Sequence, residues 1–191
     1  MHRKGFVVRV LIAAANLGKW GETDGIVTTY GNLIPRFVKA GVEADILAYG
    51  PRDSVEQQGA VRIIIHKPRI PVKIDPTRWI DMAIYQSSTA QMIGQKRYDL
   101  IQSSTPDPLG LFMLSMAKRN KCPFLSIYHT ALGDYVEIRY SRMLGHFAGK
   151  MFGNMMSSWM KWYYEQSDLI LTPSHWTRRE LSDIFSKPIG V

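Results

Sequence analysis

The sequence predicts an α/β protein built on a doubly wound, mostly parallel, Rossmann-like sheet. Short apolar runs recur along the chain without the polar alternation of half-exposed strands, as is typical of strands covered on both faces. Helical patterns lie between these runs, as expected when a crossover helix follows each strand. With 191 residues and 46% apolar side chains, the chain has the size and composition of a single domain with a large buried core.

Six apolar runs are the predicted strands. They are Phe6–Ala14, Glu43–Tyr49, Val61–His66, Tyr98–Ser103, Phe124–Tyr128 and Leu169–Thr172. The first of them superficially resembles a signal peptide, but it breaks at Asn16 after about ten residues, which is too short to span a bilayer. A first buried strand is therefore the better interpretation.

Three helices carry start or stop signals between these strands. The first ends at Gly41 and contains Pro35, which predicts a kink. The second begins with Asp107 as N-cap and Pro108 at the first helical position, and the third begins after Ser174, whose hydroxyl can cap a helix. The apolar stripe of the first helix consists of Ile26, Val27, Tyr30, Leu33, Ile34, Phe37 and Val38.

The net charge is +8, from 24 Lys and Arg against 16 Asp and Glu. This excess favours phosphate-bearing partners without choosing among nucleic acid, lipid headgroups and small substrates. The segment from Lys67 to Thr77 is basic and is predicted to be a proline-stiffened surface loop. A single cysteine, Cys122, excludes an internal disulfide, and no Cys/His cluster has the spacing of zinc ligands.

Ligands of open parallel sheets bind beyond the carboxyl ends of the strands, so the segments that follow the strands are the candidate site. After the first strand, a glycine-containing turn leads to Asp24 and Gly25 at the start of the first helix. Glycine lets the backbone approach a ligand, and the helix N-terminus favours an anion. The spacing matches neither G-x-G-x-x-G nor the P-loop. Simple N-capping by Asp24 remains an equal alternative.

Three further segments follow later strands. The first is Ser103-Ser104-Thr105, where the Thr105 hydroxyl can bond a sugar or phosphate, although turn formation also accounts for this run. The second contains His129 and Thr130, followed by Tyr135. An imidazole at the end of a strand can bond a substrate hydroxyl or stabilise developing charge, while a structural histidine is the alternative. The third contains Ser174 at a capped helix start.

These segments together resemble the N-terminal domain of the large retaining glycosyltransferase family with the GT-B fold, which includes many glycolipid and polysaccharide mannosyl-, glucosyl- and galactosyltransferases. The resemblance spans nearly the whole chain, with the four motifs in the family's order at one predicted edge of the sheet. They are Thr23-Asp24-Gly25-Ile26-Val27, Ser104-Thr105-Pro106-Asp107-Pro108-Leu109-Gly110, Tyr128-His129-Thr130 and Ser167-Asp168-Leu169-Ile170-Leu171-Thr172-Pro173-Ser174.

The resemblance implies transfer of a sugar from a nucleotide-sugar donor to a lipid-linked or saccharide acceptor, with retention of anomeric configuration, no cofactor and no required metal. By matching positions, His129 is the implied catalytic residue that contacts the transferring sugar, and Thr130 lines the same wall. Asp24 and Gly25 belong to the loop near the donor diphosphate and acceptor, and Ser174 lies on the loop that closes the cleft. Family members often carry a second glycine in place of Asp24, which leaves its role open.

The resemblance also sets the domain organisation. Residues 1–191 correspond to a single acceptor-side domain, whereas the family holds most of the nucleotide site in a C-terminal domain that this sequence lacks. A large part of transferase catalysis comes from holding donor and acceptor in the reacting geometry. Because one of the two domains that hold them is missing, we expect this chain alone to transfer little sugar.

A membrane partner is a further expectation. The stretch from Arg139 to Tyr164 predicts one long helix, or two joined near Gly153, with an apolar side and a basic stripe. The apolar side comprises Met143, Phe147, Met151 and Met155, and the stripe Arg139, Arg142, His146 and Lys150. Such a face can rest on anionic lipid, in keeping with a cytoplasmic protein bound peripherally to the membrane. An ordinary amphipathic helix with its apolar side in the core is the simpler interpretation.

Two alternative functions remain open. The charge allows a nucleic-acid- or phosphate-binding module, but the basic residues are spread along the chain without the clustering of such domains, so no nucleic-acid partner is expected. A nucleotide-dependent epimerase or dehydrogenase requires a dinucleotide fingerprint after the first strand, and the sequence has none there.

Overall fold

The computed structural model describes residues 8–19, 21, 24–75, 78–129 and 132–191, with the backbone alone at residues 74, 75, 78, 79, 132–136 and 144. The chain divides into two compact units, Met1–Leu125 and Ser126–Val191. The strand β8 (Phe124–Ile127) begins in the first unit and ends in the second.

The first unit contains the mostly parallel sheet that the sequence predicts. Its strands are ordered β8-β7-β1-β2-β4-β3, and β3 is the antiparallel edge. Ala13 at the end of β1 is paired with Ser103 at the end of β7, so the loops after these strands begin side by side. The strands are β1 (Arg9–Ala13), β2 (Glu43–Tyr49), β3 (Ser54–Gln58), β4 (Val61–His66) and β7 (Leu100–Ser103).

Non-alternating burial explains why the central strands were recognisable in the sequence. From Ala44 to Tyr49 every residue of β2 is buried, as expected where helices cover both faces of a sheet. A buried polar link joins the sheet to the first helix, because the Gln102 side-chain amide donates to the Tyr30 hydroxyl at 2.6 Å. The α/β, mostly parallel fold class is confirmed.

Two helices of the first unit begin at predicted N-caps, Asp24 and Asp107, and the first of them also ends at the predicted glycine. The helix α1 (Gly25–Ala40) runs through Pro35 and ends at Gly41, whose φ of 66° is the left-handed conformation that favours glycine. The helix α3 (Pro108–Asn120) starts with Pro108 after Asp107, which accepts a hydrogen bond from the Gly110 backbone. A short helix, α2 (Ser88–Gly94), precedes β7 and is capped by Ser87.

The prediction of a surface loop over Lys67 to Thr77 is wrong in part, because an antiparallel hairpin of β5 (Pro71–Asp75) and β6 (Arg78–Asp81) occupies this region. A buried pair holds the hairpin to the sheet: His66 Nε2 lies 2.7 Å from Asp81 Oδ2. Burial raises the pKa of Asp81, but hydrogen bonds from His66 and from the Ile70 and Ala83 backbone outweigh it and lower that pKa below its ordinary value.

The second unit carries the end of β8, β9 (Leu169–Leu171) and β10 (Ile189–Gly190), ordered β10-β9-β8. Its helices are α4 (Leu132–Leu144), α5 (His146–Tyr164) and α6 (His175–Ser182), the last capped by Ser174 as predicted. The backbone N–H of Tyr128 donates to the Leu171 carbonyl at 2.7 Å, so the segments after β8 and β9 leave the sheet as neighbours.

The prediction of one long helix, or of a joint near Gly153, is wrong, because the break lies at Gly145, which has a φ of 88°. Gly153 lies buried inside α5. The four basic residues are therefore shared between two helices, with Arg139 and Arg142 on α4.

The expectation that the apolar side of this region packs into the core is also wrong. Phe147 is 86% exposed, and the other three members, Met143, Met151 and Met155, are also exposed. The side of α5 that packs instead carries Gly149, where a Cβ would collide with Ser141 of α4. Among the described helices, none is long and apolar enough to cross a membrane.

Candidate functional site

The end of β1 places Asn16 against Asp24. The Asp24 Oδ1 atom accepts the backbone N–H groups of Ile26 and Val27 at 2.8 and 2.9 Å, so this residue is the N-cap of α1. Its Oδ2 atom accepts a hydrogen bond from the Asn16 side-chain amide at 3.1 Å. Capping thus engages the Asp24 carboxylate, and its predicted role in substrate binding remains a prediction.

Asn16 leaves an open acceptor at this edge. The residue is 1% exposed, and its Oδ1 atom accepts no hydrogen bond from the part of the chain that the structure describes. A buried carbonyl oxygen without a donor costs about 1–3 kcal/mol. A ligand hydroxyl that donates to Oδ1 would remove this cost.

Gly25 presents bare backbone beside this acceptor. The residue is exposed at the start of α1, and no heavy atom lies within 4 Å of the position that a Cβ would occupy. The backbone conformation is an ordinary one, so nothing in the fold itself requires glycine here. One remaining reason for glycine at this position is that the absence of a side chain leaves space for a ligand.

The hydroxyl run after β7 is largely committed to its own turn. The Ser104 hydroxyl and backbone N–H both donate to the Ala13 carbonyl, at 3.0 and 3.1 Å, which ties this loop to the end of β1. Ser103 donates to the Thr105 carbonyl at 3.1 Å. Turn formation therefore accounts for these two serines.

The predicted binding residue Thr105 is half-buried and hydrogen-bonded to Asp107. Burial raises the pKa of the Asp107 carboxyl above its ordinary value, although hydrogen bonds from Gly110 and Thr105 act in the opposite direction. Thr105 thus has a structural role at the α3 cap, and its contact with a substrate stays a prediction.

In the second unit, His129 directly follows β8 and is half-buried. Its side chain lines a pocket of about 540 Å³ together with residues of α5 and α6. This volume lies within the range of about 300–1,000 Å³ that small-molecule sites have. The other lining residues are Tyr128, Ser157, Met160, Lys161, Pro173, Trp176, Thr177, Glu180, Leu181, Ile184 and Phe185.

Ser174 acts as the cap of α6 beside this pocket. Its hydroxyl accepts the Thr177 backbone N–H at 3.1 Å and lies 2.8 Å from the Thr177 hydroxyl. Thr177 and the preceding Pro173 line the pocket. Contact between Ser174 and a substrate stays a prediction.

The structure therefore brings the candidate residues together in two groups. Asp24, Gly25 and Thr105 belong to adjacent loops of the first unit, and His129 and Ser174 belong to adjacent loops of the second. Thr130 lies outside the described residues, and Tyr135 is described only as backbone within α4. Convergence of the two groups on one cleft remains a prediction.

Within the described ranges, no group of three or more His, Cys, Asp or Glu side chains is arranged to hold a metal ion. The implied independence from metal remains a prediction.

Sequence reasoning missed Asn16 and Trp176 as site residues. An amide directly after a buried apolar strand was a usable signal for Asn16, whereas the pocket beside Trp176 depends on how α5 packs against α6.

Comparison with known proteins identifies a family and a fold. The model of the family described as Glycosyltransferase Family 4 matches residues 23–191. No curated protein matches the sequence. Among solved structures, the chain described as sucrose-phosphate synthase from Thermosynechococcus elongatus aligns with a TM-score of 0.55 at 13% identity, over 96% of this chain and 86% of that one. At this identity the likeness shows the fold alone.

Proposed function

We propose, because this chain belongs to Glycosyltransferase Family 4, that it is the acceptor-side N-terminal domain of a retaining enzyme. The chain is an N-terminal glycosyltransferase domain of the GT-B fold. The proposed reaction moves a sugar from a nucleotide-sugar to a hydroxyl of a lipid-linked or saccharide acceptor. The observation that carries the proposal is the His129 side chain in a pocket at the carboxyl end of β8.

The two groups of residues have separate proposed roles. In the transfer, the bond from the anomeric carbon to the diphosphate oxygen breaks, the bond to the acceptor oxygen forms, and the acceptor loses a proton to the departing phosphate. His129 forms a hydrogen bond with a hydroxyl of the moving sugar and holds that sugar in place while positive charge develops at its anomeric carbon. Asn16 and the backbone at Gly25 bind the acceptor or diphosphate from the other loop, with the Asn16 Oδ1 atom accepting a hydrogen bond from a ligand hydroxyl.

The role of Gly25 predicts a variant that loses activity without losing stability. In Gly25→Ala, the added methyl group stands in the space proposed for the ligand. We expect transfer by the full gene product, here meaning this chain joined to the nucleotide-binding domain of the family, to fall about 10- to 100-fold, the equivalent of an overpacking cost of about 1–3 kcal/mol. Because the fold leaves this space open, stability should stay the same or rise by about 0.4–1 kcal/mol. Initial rates and thermal unfolding measure the two effects.

The matched control is Gly31→Ala. Gly31 lies on the same helix and is also exposed with open space at its Cβ position, but it is far from the helix start. Unchanged transfer in this variant and reduced transfer in Gly25→Ala support the assignment. Equal rates in both variants count against a ligand at Gly25.

We further propose that transfer requires the nucleotide-binding domain of the family, so that the 191-residue chain alone turns over little donor. The proposal rests on the resemblance, which places most nucleotide contacts outside an N-terminal domain, and on the share of catalysis that comes from positioning two substrates. The nucleic-acid and epimerase alternatives are not favoured, because the family match accounts for nearly the whole chain.

A peripheral membrane contact through α5 is also proposed. Phe147, Met151 and Met155 recur at intervals of four residues and are all exposed, so they form one apolar stripe. The only charged residues of α5 are Lys150 and Lys161, with no carboxylate in the helix. An exposed apolar stripe on a helix whose charged residues are both lysines complements the surface of an anionic membrane.

This contact predicts vesicle binding that depends on Phe147. We expect the protein to float with anionic vesicles more than with neutral ones. Phe147→Glu should reduce the partitioning about 10- to 100-fold, since burial of such a side chain contributes about 1.5–3 kcal/mol. The control is Val55→Glu, which places the same charge at an exposed apolar residue of β3 in the first unit. Equal flotation with both vesicle types would exclude the contact.

A further inference from the structure

The pocket beside His129 is a groove between α5 and α6 with an apolar floor. Met160 of α5, Leu181 of α6 and Phe185 just after α6 line it, and all three are buried. Trp176 and Ile184, which are 63% and 47% exposed, form part of its α6 side. The groove thus offers hydrocarbon surface at the bottom and at the edge.

The polar side chains of the lining are unsuited to hold a sugar on that floor. Ser157, Lys161 and Glu180 are exposed to solvent, and the Thr177 hydroxyl already contacts Ser174. His129 and Tyr128 stand where the groove meets the end of β8. A saccharide needs convergent polar groups where it is buried, whereas a hydrocarbon chain needs none.

The groove runs along α6. Its lining extends from Trp176 in the first turn to Ile184 beyond the last turn, a distance of roughly 12 Å at 1.5 Å per helical residue. Trp176 lies near the end of the groove that His129 shares, because both residues follow the carboxyl ends of neighbouring strands. The shape fits a chain with one end at His129.

The charges on the α5 side of the groove favour a ligand with an anionic group. Lys161 lies in the groove lining, and Lys150 lies on the same helix, which carries no acidic residue. Glu180 is the single carboxylate of the lining, and it is exposed on α6. Lys161 therefore places a cation between the groove and the apolar stripe of α5, where the phosphate of an anionic lipid would lie.

We propose that this groove holds the hydrocarbon chain of a lipid-linked acceptor with an anionic phosphate, whose polar head lies at His129. This inference rests on the proposed function, in which His129 faces the reacting sugar. It specifies the acceptor as an amphiphile and assigns its chain to α5 and α6.

Neighbouring serines on α5 provide a matched test. Ser157 lines the groove, and Ser158 is exposed on the same helix outside it. Binding of monomeric decyl phosphate to the full chain is measured by titration calorimetry. We expect Ser157→Trp, which fills the groove, to weaken binding at least about tenfold, a loss of about 1.4 kcal/mol. Binding by Ser158→Trp should stay within about twofold of that of the unchanged protein.

Other outcomes overturn the inference. Equal binding by Ser157→Trp and Ser158→Trp places the ligand elsewhere, and inorganic phosphate or an unalkylated disaccharide that binds as tightly as decyl phosphate removes the need for a chain. If Ser157→Trp fails to fold, Ile184→Asp in the groove and Ile138→Asp on the exposed face of α4 repeat the comparison. If decyl phosphate does not bind while Gly25→Ala still loses transfer, this inference alone fails. If it binds while no nucleotide-sugar is consumed, the proposed function fails.

Discussion

Replacement of His129 by alanine is expected to lower the rate of sugar transfer about 100- to 1,000-fold, the effect of removing one preorganised hydrogen-bonding group from a reacting centre. The imidazole is half-buried in a pocket at the end of β8, so it meets a bound ligand away from bulk water. The fall should appear mainly in kcat, because the interaction strengthens as the sugar separates from the diphosphate. Initial rates of the full gene product over a range of donor concentrations measure it.

The control for this variant is His175→Ala. His175 is an exposed histidine at the first position of α6, next to Ser174 but outside the pocket lining. Its loss should leave kcat within about twofold, as expected for a surface substitution. A His129→Ala enzyme that keeps the kcat of the unchanged protein would show that this histidine is structural.

Replacement of Asp45 by asparagine is expected to destabilise the first unit by about 3–5 kcal/mol, the usual cost of breaking one side of a buried ion pair. Asp45 is 5% exposed on β2. It accepts two hydrogen bonds from Arg62 at 2.8 and 2.7 Å and one from the Tyr98 hydroxyl at 2.6 Å, and Lys96 lies 3.2 Å away. Asparagine leaves these cations without their counter-charge. Chemical denaturation measures the change.

The same carboxylate predicts a pH dependence. Burial raises the pKa of Asp45, but hydrogen bonds from Arg62 and Tyr98 and the charges of Arg62 and Lys96 outweigh it, so the folded-state pKa lies below its ordinary value. A depressed carboxyl pKa contributes stability above the unfolded pKa of about 3.9 and loses it as pH falls through the lower folded value. The gap in stability between the unchanged protein and Asp45→Asn should therefore shrink below about pH 4.

An exposed ion pair between β1 and β2, the strand of Asp45, supplies the comparison. Arg9 and Glu43 are 2.6 Å apart with side chains about a third or more exposed, and Glu43→Gln should cost less than about 1 kcal/mol. Similar losses in Glu43→Gln and Asp45→Asn would contradict the importance given to burial.

The sheet and its helix caps were predictable because local signals and tertiary packing agree there. Burial on both faces produces largely apolar strands without polar alternation, such as β2 and β4. The capping bonds of Asp24, Asp107 and Ser174 join residues two or three apart in sequence. Hydrogen bonds between residues so close in sequence can be recognised from the local sequence alone.

Elements that depend on distant partners were not predictable in the same way. The β5–β6 hairpin lies in a segment with three prolines, a composition typical of loops, and it is held by Asp81, whose partner His66 lies 15 residues earlier. The α4–α5 break occurs at a glycine, but Gly149 and Gly153 are equally plausible by sequence. Gly145 is selected because Gly149 lets α5 approach α4. The exposure of the α5 apolar stripe likewise follows from which side packs.

The candidate site was recoverable only in part. His129 and Gly25 could be named because they follow strands, and the carboxyl edge of a parallel sheet is known in advance to be the ligand side. The groove could not be predicted, because Ser157 and Leu181 line one pocket only once α5 and α6 take their places in the folded chain. Side-chain neighbours of that kind are set by tertiary structure and leave no fixed spacing in the sequence.

The most direct test of a retaining glycosyltransferase is the anomeric configuration of the product. The full gene product is incubated with a panel of nucleotide-sugars and an alkyl phosphate-linked acceptor, and proton NMR reads the coupling constant at the transferred anomeric carbon. We expect one donor to be consumed and its sugar to appear on the acceptor with the donor's own configuration. An inverted product, release of free sugar alone, or no consumption of any donor would contradict this account.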